Sequence, residues 1–269
     1  MRECEPIELV MGNGEVVRGD YHFTPGRAGT PVVVFAHGLG SDRTGEKIGA
    51  FAAECAQRGW ALVAADFRGH GQSDGTMVEL SGPRLLEDLA AIVTYARQRA
   101  GGPLLLVGSS MGGWTAAWLT IARPALAGLV DACALIAPAL RFFDWLNLRA
   151  DERAAWQQTG RYHLRTQYLD LELGSQLLTD AAQYPFAMLL EQFARPAAIF
   201  HGMRDETIPY QLSLDFIEQA RETRLELCLS REGDHRLITQ KAVMARESCD
   251  LLARVTAPVW TPAPAPIPD

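Results

Sequence analysis

The stretch that most restricts what this chain can fold into is Gly108-Ser109-Ser110-Met111-Gly112, set directly after the apolar run Leu104 to Val107 and directly before a helix-like run from Met111 to Ala122. A G-x-S-x-G sequence between strand and helix implies a very tight turn, in which small neighbours avoid clashes and the central serine stands clear of the sheet. That turn in turn demands strands covered on both faces, and the rest of the chain supplies them. Pro31 to Ala36, Ala61 to Asp66, Leu129 to Ile136, Ala197 to Phe200 and Leu225 to Leu229 are rich in Val, Leu, Ile and Ala, as doubly buried parallel strands require. Amphipathic runs alternate with them at Gly45 to Arg58, Pro83 to Arg99, Tyr210 to Ala220 and His235 to Arg254. Repeated strand and helix of this kind predict an α/β fold with a mostly parallel central sheet and helices on both faces. Only the N-terminus departs from it: Ile7 to Met11 and Val16 to Phe23 flank Gly12-Asn13-Gly14, which predicts an antiparallel hairpin at one sheet edge.

One interval is too long for a simple connection. Residues 139–195 hold several helix-like pieces and are expected to form a small helical cap inserted in one α/β domain spanning 1–256. The cap is rich in rings (Phe142, Phe143, Trp145, Trp156, Tyr162, Tyr168 and Tyr184), most of them expected to pack it onto the core. The Pro- and Ala-rich segment 257–269 is too poor in large apolar groups to pack and is expected to be disordered.

A serine hydroxyl is a weak nucleophile until a base takes its proton, so the turn directs attention to later histidines. Three follow Ser110: His163 in the cap, His201 at the end of a strand, and His235 in Arg231-Glu232-Gly233-Asp234-His235. Only His235 follows the last predicted strand, at the sheet edge where functional loops gather. Its second ring nitrogen needs a carboxylate to hold the tautomer. Asp205, in the loop His201 to Pro209, is the best placed; Glu206 and Asp234 are rivals. Acyl transfer further needs donors for the tetrahedral oxyanion, and these are expected from the backbone amides of Met111, after the serine, and Leu39, after His37-Gly38.

The segments HGLGSDRTGEK (37–47), DFRGHGQSDG (66–75), LVGSSMGGW (106–114), HGMRDETIP (201–209) and GDHRL (233–237) resemble the α/β-hydrolase superfamily. Within it, GSSMGGW, GHGQSDG and GDHRL are most similar to bacterial relatives of the abhydrolase-domain group that includes a mitochondrial palmitoyl-protein thioesterase. The resemblance implies cleavage of acyl esters or thioesters, a triad of Ser110, Asp205 and His235, and an oxyanion hole of Leu39 and Met111. The cap matches only loosely. A peptidase or acyltransferase would use the same groups, and a ligand-binding receptor would keep the fold without turnover.

Composition narrows the partners. A formal charge of -7 and pI near 5.4 offer no cationic field for a phosphate backbone, so nucleic acid is not expected. With no clustered basic patch, uncharged small-molecule acyl esters are the expected substrates. Trp114, Trp145 and Trp156 are the expected lining of the acyl pocket, while Arg68 and His70 are expected to brace their own loop. No HExxH and no Cys/His cluster is present, so neither metal nor cofactor is expected. The acidic segment Met1 to Val10 lacks the order of a secretory signal, and Ala125 to Leu140, broken by Asp131, is short of the roughly 20 residues that span a bilayer. Together with five scattered cysteines, these features predict a cytoplasmic protein. Nothing in the sequence gives an oligomeric state.

Overall fold

The computed structural model describes residues 3–25, 29–143, 148–166, 169–222 and 224–257. Its strands are β1 (Glu3–Val10), β2 (Val16–Phe23), β3 (Thr30–Ala36), β4 (Ala61–Ala65), β5 (Gly101–Ser109), β6 (Ala132–Ile136), β7 (Arg161–Arg165), β8 (Asp170–Gly174), β9 (Ala197–Gly202) and β10 (Leu225–Ser230). Helices α1 (Glu46–Arg58), α2 (Gly82–Ala100), α3 (Met111–Ala122), α4 (Pro124–Ala127), α5 (Ala150–Thr159), α6 (Gln176–Asp180), α7 (Phe186–Gln192), α8 (Gln211–Gln219) and α9 (Lys241–Thr256) alternate with them. Eight strands form one sheet in the order β1-β2-β4-β3-β5-β6-β9-β10. All pairs from β4 to β10 are parallel, while β2 meets β1 and β4 antiparallel. The expected parallel sheet with an N-terminal hairpin is therefore present.

Burial follows from position in that sheet. Every residue of β4, β6 and β9 is buried, whereas β2 alternates and edge strand β10 is half-open. Successive side chains of β3 serve two cores: Val32, Val34 and Ala36 join the face covered by α2 and α3, and Val33 and Phe35 the face covered by α1 and α9. This period of two is what a strand between two helical layers must show.

Two sequence expectations need correction. The last helix starts at Lys241, not at His235. Asp234 Oδ1 accepts the Arg236 and Leu237 amides at 3.1 and 2.9 Å, and Leu237 takes a positive φ of 50°, so the chain turns before it can wind. The insertion between β6 and β9 is also not purely helical. It contains the antiparallel pair β7 and β8, formed because Arg161, His163 and Arg165 face solvent while Tyr162 and Leu164 turn inward, a strand-like alternation within a stretch otherwise read as helix. Most of the expected tail, 258–269, lies outside the described residues.

Candidate active site

The elbow is built by close approach of backbones. A Cβ on Gly108 would run into the Gly112 carbonyl, and one on Gly112 into the Ala36 carbonyl, so only glycine lets β3, β5 and α3 meet here. Ser110 sits between them with φ 55° and ψ -115°, a conformation that must be held by its surroundings. Its N–H donates to the Ile136 carbonyl at 2.9 Å, and its own carbonyl accepts the amides of Gly113, Trp114 and Ala139 at 2.9, 3.2 and 3.1 Å. The side chain is thereby carried at the N-terminal end of α3, where the helix dipole favours developing negative charge.

Parallel pairing of β9 and β10 brings the other two groups to the same edge. The loops that follow these strands lock together: the Met203 and Arg204 amides donate to the Ser230 and Gly233 carbonyls at 2.8 and 2.9 Å. Asp205 leaves one loop and His235 the other. His235 Nδ1 lies 2.7 Å from Asp205 Oδ2 and its Nε2 3.1 Å from Ser110 Oγ. Asp205 Oδ1 accepts the Thr207 and Ile208 amides, both at 2.8 Å. Burial pushes the Asp205 carboxyl up, but hydrogen bonds from His201 and His235, the nearby imidazole charge and the Ile208 amide together hold it well below the usual carboxylate range. The rivals are placed differently: Glu206 lines the cavity from an exposed position, and Asp234 caps its own turn.

Sequence reading gave His37 and His201 no part, yet both are buried at this edge. His37 Nδ1 donates to the Gly38 carbonyl at 2.8 Å while Nε2 accepts the Phe67 amide at 3.0 Å, and burial lowers the ring to about 4. The Ser41 amide also donates to that carbonyl, at 3.2 Å. Because the peptide is planar and trans, a Gly38 carbonyl held on that side turns the Leu39 N–H to the other. Leu39 itself lines the cavity with Ser110, and Met111 opens α3 immediately after it. His-Gly before the loop was the available signal for His37.

Ser110 and His235 open on a cavity of about 740 Å³. One wall is apolar, with Leu39, Phe142, Tyr162, Leu164, Leu169 and Ile208; the other carries Lys47 and Arg236 among Asp42, Glu46 and Glu206. Lys47 Nζ donates to the Arg236 carbonyl at 3.0 Å, and burial followed by repulsion from Arg236 lowers its ammonium to about 8. Lys47 and Arg236 are far apart in sequence, so their meeting at this cavity was not visible there. For Trp114 and Trp156 the expectation is corrected, since neither lines the cavity. Trp114 is fully buried against Trp118, Phe142, Phe143 and Tyr184, because α3 is enclosed on nearly every side. Trp156 is 2% exposed, donates Nε1 to the Leu173 carbonyl at 3.2 Å and packs on Tyr162, so it pins the hairpin from behind. Trp145 and Tyr168 lie outside the described residues.

Arg68 does not line the cavity. It is buried against Asp88, with Nε to Oδ1 at 2.6 Å, and reaches Glu15 and Glu87. His70 is buried beside His37. Among the described residues no group of His, Cys, Asp and Glu is placed to hold a metal ion, and no helix is long and apolar enough to cross a membrane.

Comparison with known proteins agrees with this architecture. Mitochondrial palmitoyl-protein thioesterase ABHD10 of Mus musculus is 28% identical over 213 residues, covering 77% of this chain and 70% of that protein. A hydrolase-type protein from Agrobacterium vitis S4 superposes with a TM-score of 0.82 at 26% identity, over 94% of this chain and 99% of the other. Mouse alpha/beta hydrolase domain-containing protein 10 superposes at 0.78 with 24% identity, over 94% and 100%. The family model described as serine aminopeptidase, S33, matches residues 29–184, more than half of the chain and the part that contains the elbow. The chain therefore belongs to that family of hydrolases and has the α/β-hydrolase fold.

Proposed function

We propose that this protein hydrolyses carboxylic acyl esters of small molecules through an acyl-enzyme on Ser110. The observation that carries the reading is the unbroken chain from Ser110 Oγ to His235 to Asp205, at 3.1 and 2.7 Å, on the wall of a partly apolar cavity. His235 Nε2 takes the serine proton as Oγ attacks the ester carbonyl, and the Leu39 and Met111 amides receive the oxyanion. The proton then passes to the departing alcohol, leaving the acyl group on Ser110. Water, deprotonated by the same nitrogen, releases the acid and restores the hydroxyl. Asp205 stays ionised and holds the imidazole tautomer. These side chains and water supply every proton and electron pair, so the cycle calls on no cofactor. Five free cysteines suit a reducing compartment such as the cytoplasm.

A thioester reading is favoured by the relative named as a palmitoyl-protein thioesterase, since the same acyl-enzyme forms from either substrate. The test combines fluorophosphonate labelling with kinetics on acyl esters, acyl thioesters and amides. Ser110→Ala is expected to abolish labelling and ester turnover, while Ser109→Ala, at the buried end of β5, keeps substantial activity. Equal rates in the two variants would overturn the nucleophile, and a preference for amides would move the protein to the peptidase reading.

A further inference from the structure

His201 lies at the end of β9 with no exposed surface. Its Nε2 is 3.1 Å from Asp205 Oδ2 and 3.0 Å from the Ile208 carbonyl, and its Nδ1 is 2.8 Å from Ser213 Oγ on α8. These partners assign the ring. Nε2 faces two oxygens that only accept, so it carries the proton, and Nδ1 receives the proton of the Ser213 hydroxyl. The same carboxylate oxygen, Asp205 Oδ2, thus takes an N–H from His201 on one side and from His235 on the other.

From this geometry, and resting on the triad proposed above, we infer that His201 is a positioning residue for catalysis: it fixes the Asp205 oxygen that orients His235, and Ser213 fixes His201. The carboxylate has one oxygen tied to the backbone amides of its own loop and the other shared by two imidazoles, so no rotation about its Cβ–Cγ bond preserves the set. Removing the His201 donor frees Oδ2 to move and returns to it the charge that the N–H had drawn off. Both changes act on His235 and neither touches substrate. A buried histidine that merely fills space would affect only folding.

The test is a double-mutant cycle, because residues acting through one another are strongly non-additive. His201→Leu is expected to lower kcat by on the order of a hundredfold, with KM for a neutral ester changed much less, while His201→Gln, which retains a side-chain N–H of similar reach, recovers part of the loss. In the Asp205→Asn background His201→Leu should cost little more. Ser213→Ala, which leaves the Nε2–H in place, is expected to fall less than His201→Leu. Rates are normalised to active sites by fluorophosphonate titration and to folded protein by circular dichroism. Additive losses in the cycle, or equal kcat in His201→Leu and His201→Gln, would overturn the inference while leaving the triad standing. Full activity of Asp205→Asn would overturn both. If His201→Leu does not fold, the comparison of wild type, His201→Gln and Ser213→Ala in both backgrounds decides it in the same way: full additivity refutes coupling through Asp205.

Discussion

Asp205 spends both oxygens on four partners, two amides at Oδ1 and two imidazoles at Oδ2. Its replacement by Asn keeps the shape but turns one oxygen into a donor that faces ring N–H groups. Asp205→Asn is therefore expected to lower kcat by about 10⁴-fold, as loss of the correct imidazole tautomer does, with the folded structure retained. Asp234→Asn should stay within about tenfold of wild type, because the Asp234 carboxylate accepts the Arg236 and Leu237 amides of its own turn. Steady-state kinetics on one ester checks both, and the reverse ranking would make Asp234 the orienting acid. The positions of Ser110 and His235 were legible in the sequence for different reasons: the G-x-S-x-G letters set the first locally, and the second was the one later histidine that followed the last predicted strand. His201 was not: its contacts with Ser213 and Asp205 exist only once β9, its loop and α8 close on one another. Lys47 and Arg236 were hidden for the same reason, since nothing along the chain relates the start of α1 to the loop after β10.

At the scale of elements, the β7–β8 hairpin supplies part of the cavity's apolar wall. Gly40, with φ 65°, has Leu169 where a Cβ would project, so the hairpin rests directly on the loop that carries Leu39. Tyr162 and Leu164 complete this wall, and Leu164 is only 5% exposed. An acyl chain laid along it gains about 0.8 kcal/mol per buried methylene, or about fourfold in kcat/KM. For p-nitrophenyl esters from acetate to palmitate, kcat/KM is expected to rise by up to that factor per carbon and then level off. Leu164→Trp should bring the plateau to shorter chains while sparing acetate, and an unchanged plateau would place the acyl group elsewhere in the cavity. The central strands were readable because full burial on both faces leaves an unbroken apolar run. The hairpin was not. Its period of two extends over only five residues in each strand, and what makes it strand is the cavity wall that Tyr162 and Leu164 face.

For the whole molecule, the response to acid follows from two histidines buried away from partners that would charge them. Burial lowers His37 to about 4 and His70, with the neighbouring His37 ring adding to it, to about 3. Rings exposed by unfolding titrate near 6.5. Since the folded values lie below the unfolded one, each histidine contributes stability that is fully present above about pH 6.5. That contribution is lost as pH falls toward the folded values, because only the unfolded chain binds the proton. Asp88 works the other way: burial raises it to about 6 despite Arg68, so the folded state takes up a proton as pH drops below that value and offsets part of the loss. A comparison of variants separates the two signs. His70 is 4% exposed, its Nε2 has no hydrogen-bond partner among the described residues and its Nδ1 reaches the Arg68 carbonyl at 3.5 Å, so His70→Phe gives up one long hydrogen bond, a loss that is the same at both pH values and leaves the slope to report the ring's charge. Between pH 7.5 and 5 the wild type should lose about 2 kcal/mol through His70 alone, from 1.36 kcal/mol per pH unit. His70→Phe should lack that share of the slope whatever the other groups contribute. Urea unfolding followed by tryptophan fluorescence at the two pH values measures it, and parallel slopes for variant and wild type would mean that the folded protein accommodates a charged ring at this position.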